Sequence, residues 1–154
     1  MKARGLIILA VAFLLAADDA DDQVKKELAR FEGTWKWVSI EMEKMKLSAD
    51  ALEHPRLKLM GDKFTVTEEN NATFGGTFKV DPSKKPKTID VTFTDGPEKG
   101  KTSLGIYELE GDTYKVCVDP EGKSRPTEFA VKPGSGYVLQ VPEAGKEVTE
   151  QLRR

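Results

Sequence analysis

Ile89-Asp90-Val91-Thr92-Phe93-Thr94 is the stretch that decides the fold class. Apolar and polar residues alternate there at period 2, so one face is apolar and the other wetted, the pattern of a half-buried β-strand. The same period recurs on both sides. Phe64 and Val66 alternate with Thr65 and Thr67, and Phe74, Gly76, Phe78 and Val80 share a face. Tyr114, Val116 and Val118 alternate with Lys115 and Cys117. Trp35 and Trp37 begin the series; Phe129 with Val131, then Tyr137 with Leu139 and Val141, end it.

Turn residues punctuate these runs at short intervals. Gly61-Asp62, Asn70-Asn71, Asp81-Pro82, Asp95-Gly96-Pro97, Gly111-Asp112, Asp119-Pro120-Glu121-Gly122 and Pro133-Gly134-Ser135-Gly136 all favour chain reversal. The spacing predicts about nine strands, near 33–42, 56–60, 63–68, 73–80, 87–94, 102–110, 113–118, 126–131 and 136–141. Connections this short join antiparallel neighbours, which makes a meander. A long meander with one apolar face leaves open edges unless it closes on itself. An all-β, antiparallel up-and-down barrel of 8–9 strands is therefore expected, with a short helix before it and a flap after the first strand.

The flap is the one longer connection, residues 43–55. Ser48 is placed to cap a single helical turn, Leu52 lies on that turn, and His54 precedes Pro55, which stops it. Such a flap gates a cavity or plugs it, and His54 would line the mouth of a cavity that opened beneath it. Ahead of the first strand, Val24, Leu28 and Phe31 recur at helical spacing, predicting a helix over 21–31 ended by Gly33. The carboxylates of Asp18, Asp19, Asp21 and Asp22 suit the start of that helix.

Residues 1–17 form a different population. They hold 14 apolar residues, with Lys2 and Arg4 ahead of an unbroken apolar run from Leu6 to Leu15. Leu15-Ala16-Ala17 offers small residues for cleavage before Asp18, which reads as a signal peptide. Ten residues rise only about 15 Å as a helix, half of a hydrocarbon core. Export to the periplasm or the outside is expected, without stable membrane insertion once the signal is cut. Residues 18–154 form one domain, about 33% apolar, with 22 basic against 26 acidic residues. That mixed surface gives no reason to expect nucleic acid. One Cys excludes an internal disulfide framework, and one His excludes a His-rich metal site.

A resemblance then enters. A helix running into Gly33-Thr34-Trp35, followed by a flap and a meander, resembles the lipocalin-like superfamily. Closer likeness lies in Phe31-Glu32-Gly33-Thr34-Trp35, Pro86-Lys87-Thr88-Ile89-Asp90, Gly96-Pro97-Glu98-Lys99-Gly100-Lys101-Thr102, Ile106-Tyr107-Glu108-Leu109, Gly111-Asp112-Thr113 and Arg125-Pro126-Thr127-Glu128-Phe129. Together these look like a planctomycete-type family of secreted lipocalin-like domains of unknown function. The resemblance implies that Gly33 and Trp35 close one end of the barrel under the helix. It also implies a late arginine against Trp35, for which Arg125 is the candidate. It brings no catalytic residues and no cofactor.

Other chemistry is faint. Gly96 to Thr102 lacks the spacing and the following helix of a phosphate loop. Gly134-Ser135-Gly136 is no nucleophile elbow, and His54 is the sole histidine available as a base. Cys117 lies on the polar face of its strand and reads as an isolated thiol covered by neighbours. No catalytic pair and no metal cluster emerge, so no enzyme is expected.

The aromatics are the informative set. Phe64, Phe74, Phe78, Phe93, Tyr107, Tyr114, Phe129 and Tyr137 would line the barrel interior. So many rings favour a filled core, whereas Gly75-Gly76 and Gly105 leave space or mark bends. Two functions follow. The first is an exported protein that holds a small apolar or amphipathic ligand, with tyrosine hydroxyls as polar handles. The alternative is a solid barrel, an inhibitor or envelope scaffold, that meets a protein partner through the lysine-rich loops 83–87 and 98–101.

Overall fold

The computed structural model describes residues 6–145, with side chains from Asp19 onward. Lys2 and Arg4 of the expected signal lie outside the described residues, as do the side chains of the apolar run. Helix α1 spans Leu6–Phe31, longer than the 21–31 segment expected. Leu- and Ala-rich sequence propagates a helix readily, so the Asp cluster falls inside α1 and its first turn carries no acid. Among the described residues, no helix is long and apolar enough to cross a membrane.

Nine strands follow. They are β1 (Gly33–Met42), β2 (Met45–Ser48), β3 (Arg56–Met60), β4 (Lys63–Thr67), β5 (Thr73–Asp81), β6 (Lys87–Phe93), β7 (Thr102–Glu110), β8 (Thr113–Asp119) and β9 (Val138–Ala144). From β3 to β9 each strand pairs antiparallel with the next, and β1 joins β3 to β9. Eight strands thus close into an up-and-down barrel. The ninth, β2, is an extra hairpin arm on β1, with Ser39 opposite Ser48 and Met42 opposite Met45.

The flap therefore starts as a hairpin rather than as a helix cap. Ser48 sits in the cap position of the 3-10 turn Ala49–Leu52 with extended backbone, but its side chain makes no cap hydrogen bond. Leu52 is buried in the main core, so the flap is pinned by one apolar side chain.

The end of the chain departs furthest from expectation. Residues 126–131 form no strand. They belong to a long connection between β8 and β9 that lies against the outer face of the barrel. Asp119 starts it, its carboxylate accepting the backbone N–H groups of Glu121, Lys123 and Ser124 at 2.8–3.0 Å. Burial alone would raise the pKa of Asp119, but those three N–H groups and the Lys123 charge hold it below the ordinary range. Ile106 and Cys117 under the connection, and Pro126 within it, are fully buried outside the barrel. The alternation of Phe129 and Val131 therefore reflects packing on this face, not a ladder.

β9 also runs in the opposite phase. Val116 faces Gln140 and Val118 faces Val138, so Val138, Gln140, Pro142 and Ala144 share the inward phase while Leu139 and Val141 turn out. Leu139 lies opposite Cys117, on the face that the 120–137 connection covers. A strand with both faces partly buried is apolar on both, and its phase is ambiguous in the sequence.

Candidate functional site

One end of the barrel is closed by α1. Phe31, its last residue, is 1% exposed and meets Phe78, Tyr107 and Tyr114 edge-on, with ring centroids 5.2–5.8 Å apart. Trp35 stacks edge-on with Tyr114 at 5.0 Å, and its indole N–H donates to the Phe31 carbonyl at 2.7 Å. That bond satisfies a carbonyl left open at the helix C-terminus. Gly33 makes the junction between helix and strand at φ 134°, a backbone conformation that side chains rarely adopt. The expected closing pair, Gly33 and Trp35, thus sits under the helix.

Arg125 does not join them. Its guanidinium donates to the carbonyls of Ile89 and Gly105 at 3.1 and 2.7 Å and pairs with Asp90 at 2.7 Å. Pro126 keeps it in the outer connection, where it fastens residues 120–137 to β6 and β7. The arginine at the closed end is Arg30, which donates to the Leu109 carbonyl at 3.1 Å and to Glu27 at 3.2 Å.

Glu27 ties the helix to the barrel. It is 6% exposed and accepts from Lys87 at 2.8 Å and from the Tyr107 hydroxyl at 2.9 Å. Burial pushes its pKa up, but the bonds from Lys87 and Tyr107, with the charges of Lys87 and Arg30, outweigh burial and hold it below the ordinary carboxylate range. Burial and the adjacent carboxylate push the Tyr107 phenol far above its usual range.

Above this floor the interior is hollow. A cavity of about 360 Å³ runs from Phe31 and Tyr114 at the helix end to exposed Glu68 at the other. Its walls come from every strand of the closed barrel, among them Trp37, Leu57, Phe64, Phe74, Phe78, Val91, Phe93, Val116 and Gln140. An irregularity in β1 between Trp37 and Ser39 shifts the phase, so that Trp37 and Ile40 both reach the interior. Phe64 and Phe93 meet edge-on across the wall at 5.4 Å.

The polar groups of the lining are few. Trp37 Nε1 donates to Gln140 Oε1 at 2.8 Å, and Ser103 and Tyr114 bring hydroxyls. Burial is the sole cause that raises the Tyr114 phenol, with no hydrogen bond contributing. Such a lining, broad apolar walls with sparse polar points, suits capture of a small molecule.

Five of the eight interior aromatics expected from sequence line this cavity: Phe64, Phe74, Phe78, Phe93 and Tyr114. Tyr107 does not line the cavity; it packs against Phe31 at the closed end. Phe129 is on the outside, with the Lys115 ammonium 5.6 Å from its ring centre. Tyr137 precedes β9 and shares a hydrogen bond with Ser124. His54 is not part of the lining; its side chain is exposed and stands 3.7 Å from Glu69, while Pro55 and Glu68 form the rim.

Phe31, Trp37, Ser103 and Gln140 are wall residues that sequence reasoning left out. Trp37 was within reach, because it alternates with Trp35. The glycines do not create the space. A Cβ at Gly76 would stand 1.9 Å from the Thr92 carbonyl oxygen, and one at Gly105 2.6 Å from Val118, so both positions allow strands to approach closely.

In the lysine-rich loops, Lys87 is engaged by Glu27 and Lys101 by Glu98 at 2.6 Å. Cys117 is covered by the 120–137 connection rather than by the helix, its Sγ 3.9 Å from the Ala130 carbonyl, and burial pushes its thiol up. Among the described residues, no cluster of His, Cys, Asp or Glu could hold a metal ion. No family model, curated protein or solved structure matches this chain.

Proposed function

We propose that this protein is an exported, lipocalin-like carrier that holds one small apolar or amphipathic molecule inside its barrel. The cavity carries this reading: about 360 Å³ of apolar-walled space lies within the usual range of small-molecule sites, roughly 300–1,000 Å³. A barrel that served only as a scaffold would gain stability by filling that space, since voids forfeit packing contacts. The basic, apolar and small-residue succession of residues 1–17 supports export.

A neutral fluorescent probe, N-phenyl-1-naphthylamine, tests the binding. Its emission should rise saturably at one site per chain. Val66→Trp, at a half-buried wall position, should weaken binding at least tenfold while leaving the far-ultraviolet circular dichroism unchanged. Non-saturable binding, or full binding by a folded Val66→Trp variant, would refute the carrier reading. N-terminal sequencing of protein recovered from its own host should begin at Asp18; a chain that begins at Met1 refutes cleavage.

A further inference from the structure

We propose that the cavity selects uncharged ligands that carry a hydrogen-bonding group, and that it discriminates against carboxylates. This inference rests on the carrier reading above and names the ligand class. Among the described residues, the lining contains a single charged group, Glu68, and no Lys, Arg or His. An anion entering this space exchanges water for an apolar wall with no counter-ion, and burial of an unpaired charge is strongly unfavourable. Glu68, exposed at the mouth, adds like-charge repulsion on the way in.

What the wall does offer is uncharged. The Trp37 indole occupies the Gln140 carbonyl oxygen at 2.8 Å, so the Gln140 amide nitrogen is left as a donor. Tyr114, 6% exposed at the helix end, brings a hydroxyl that burial keeps protonated. Ser103, also 6% exposed, adds a second hydroxyl. A ligand hydroxyl, ketone, ester or amide can accept from these groups without bringing charge into the barrel. Hydrogen bonding to buried polar groups is also where a site gains its discrimination.

Chain-matched competitors test the inference on the full-length protein at pH 8. Displacement of N-phenyl-1-naphthylamine by 1-decanol and by methyl decanoate should be at least tenfold tighter than displacement by decanoate. Glu68→Lys, which replaces the repelling charge at the rim by an attracting one, should narrow that gap at least threefold. Decanoate that competes as well as decanol overturns the class inference and leaves the carrier reading standing. Failure of all three competitors against a saturably bound probe also overturns it, whereas a probe that never saturates overturns the carrier reading itself.

Discussion

Tyr107→Phe isolates the bond that fastens the helix to the closed end of the barrel. The substitution keeps the ring, and with it the edge-on contact to Phe31 at 5.2 Å, while it removes the hydroxyl that donates to Glu27 at 2.9 Å. Tyr107 is 1% exposed, so water cannot replace the lost donor freely. Hydrogen bonds to charged groups contribute about 1.5–3 kcal/mol, and a loss of about 2 kcal/mol is expected at pH 7.

The same bond also depends on pH. The folded pKa of Glu27 lies below its ordinary value of 4.5, so the stability it contributes is present above about pH 4.5 and fades as pH falls through the folded value. Tyr107→Phe removes one of the interactions that depress that pKa. The two proteins should therefore differ most at neutral pH and converge in acid, to about 1 kcal/mol or less, as for a neutral hydrogen bond. Urea unfolding at pH 7 and pH 3, followed by circular dichroism, measures both quantities. A difference under about 0.5 kcal/mol at pH 7, the scatter of an ordinary surface substitution, refutes the assigned bond. A difference that does not change with pH refutes the ionised state of Glu27.

Other parts of the barrel make separate predictions. Gly105→Ala places a methyl group 2.6 Å from Val118 and 2.7 Å from the Cys117 carbonyl oxygen; thermal melts should show a loss of about 1–3 kcal/mol. Arg125→Ala releases the connection from Ile89, Gly105 and Asp90, and the fully buried Cys117 should react with Ellman's reagent many times faster than in the parent. An unchanged thiol rate would show that Arg125 does not hold the connection down. Asp119→Ala strands three backbone N–H groups and should cost about 1–3 kcal/mol at pH 7 in chemical denaturation; a smaller effect in Asp119→Asn would confirm that acceptance of those bonds is its role.

The barrel was legible because alternation and turn residues are local signals. The segment Ile89 to Phe93 pairs with β5 along its whole length and with β7 as far as Thr92, and Ile89, Val91 and Phe93 all reach the cavity. Legibility failed where burial came from both sides. Leu139 and Val141 look like core residues, yet both turn away from the barrel interior, and Leu139 lies opposite Cys117 on the face that the 120–137 connection covers. Gln140 looks like surface, yet it faces the cavity because Trp37 supplies its partner from the neighbouring strand. Phe129 fits a strand pattern that Asp119 and Arg125 prevent, through bonds that no periodicity records. The hollow itself was hidden for another reason. Residue types tell which face is apolar, but the volume left between faces depends on how closely strands approach at positions such as Gly76 and Gly105.

Closure by β1 and β9 has a temporal side. Trp35 finds its partner Ala144, and Glu41 finds Leu139, only after almost the whole domain has been synthesised. At ribosomal speeds of about 5–20 residues per second, roughly 5–20 s separate the emergence of the first strand from that of the last. Throughout that interval β1 lacks the strand that seals it on one side. Pairing across such a separation in sequence also makes the closing step slow to nucleate. β9 alone bridges β8 to β1, so possession of a sealed interior depends on the last strand of the barrel.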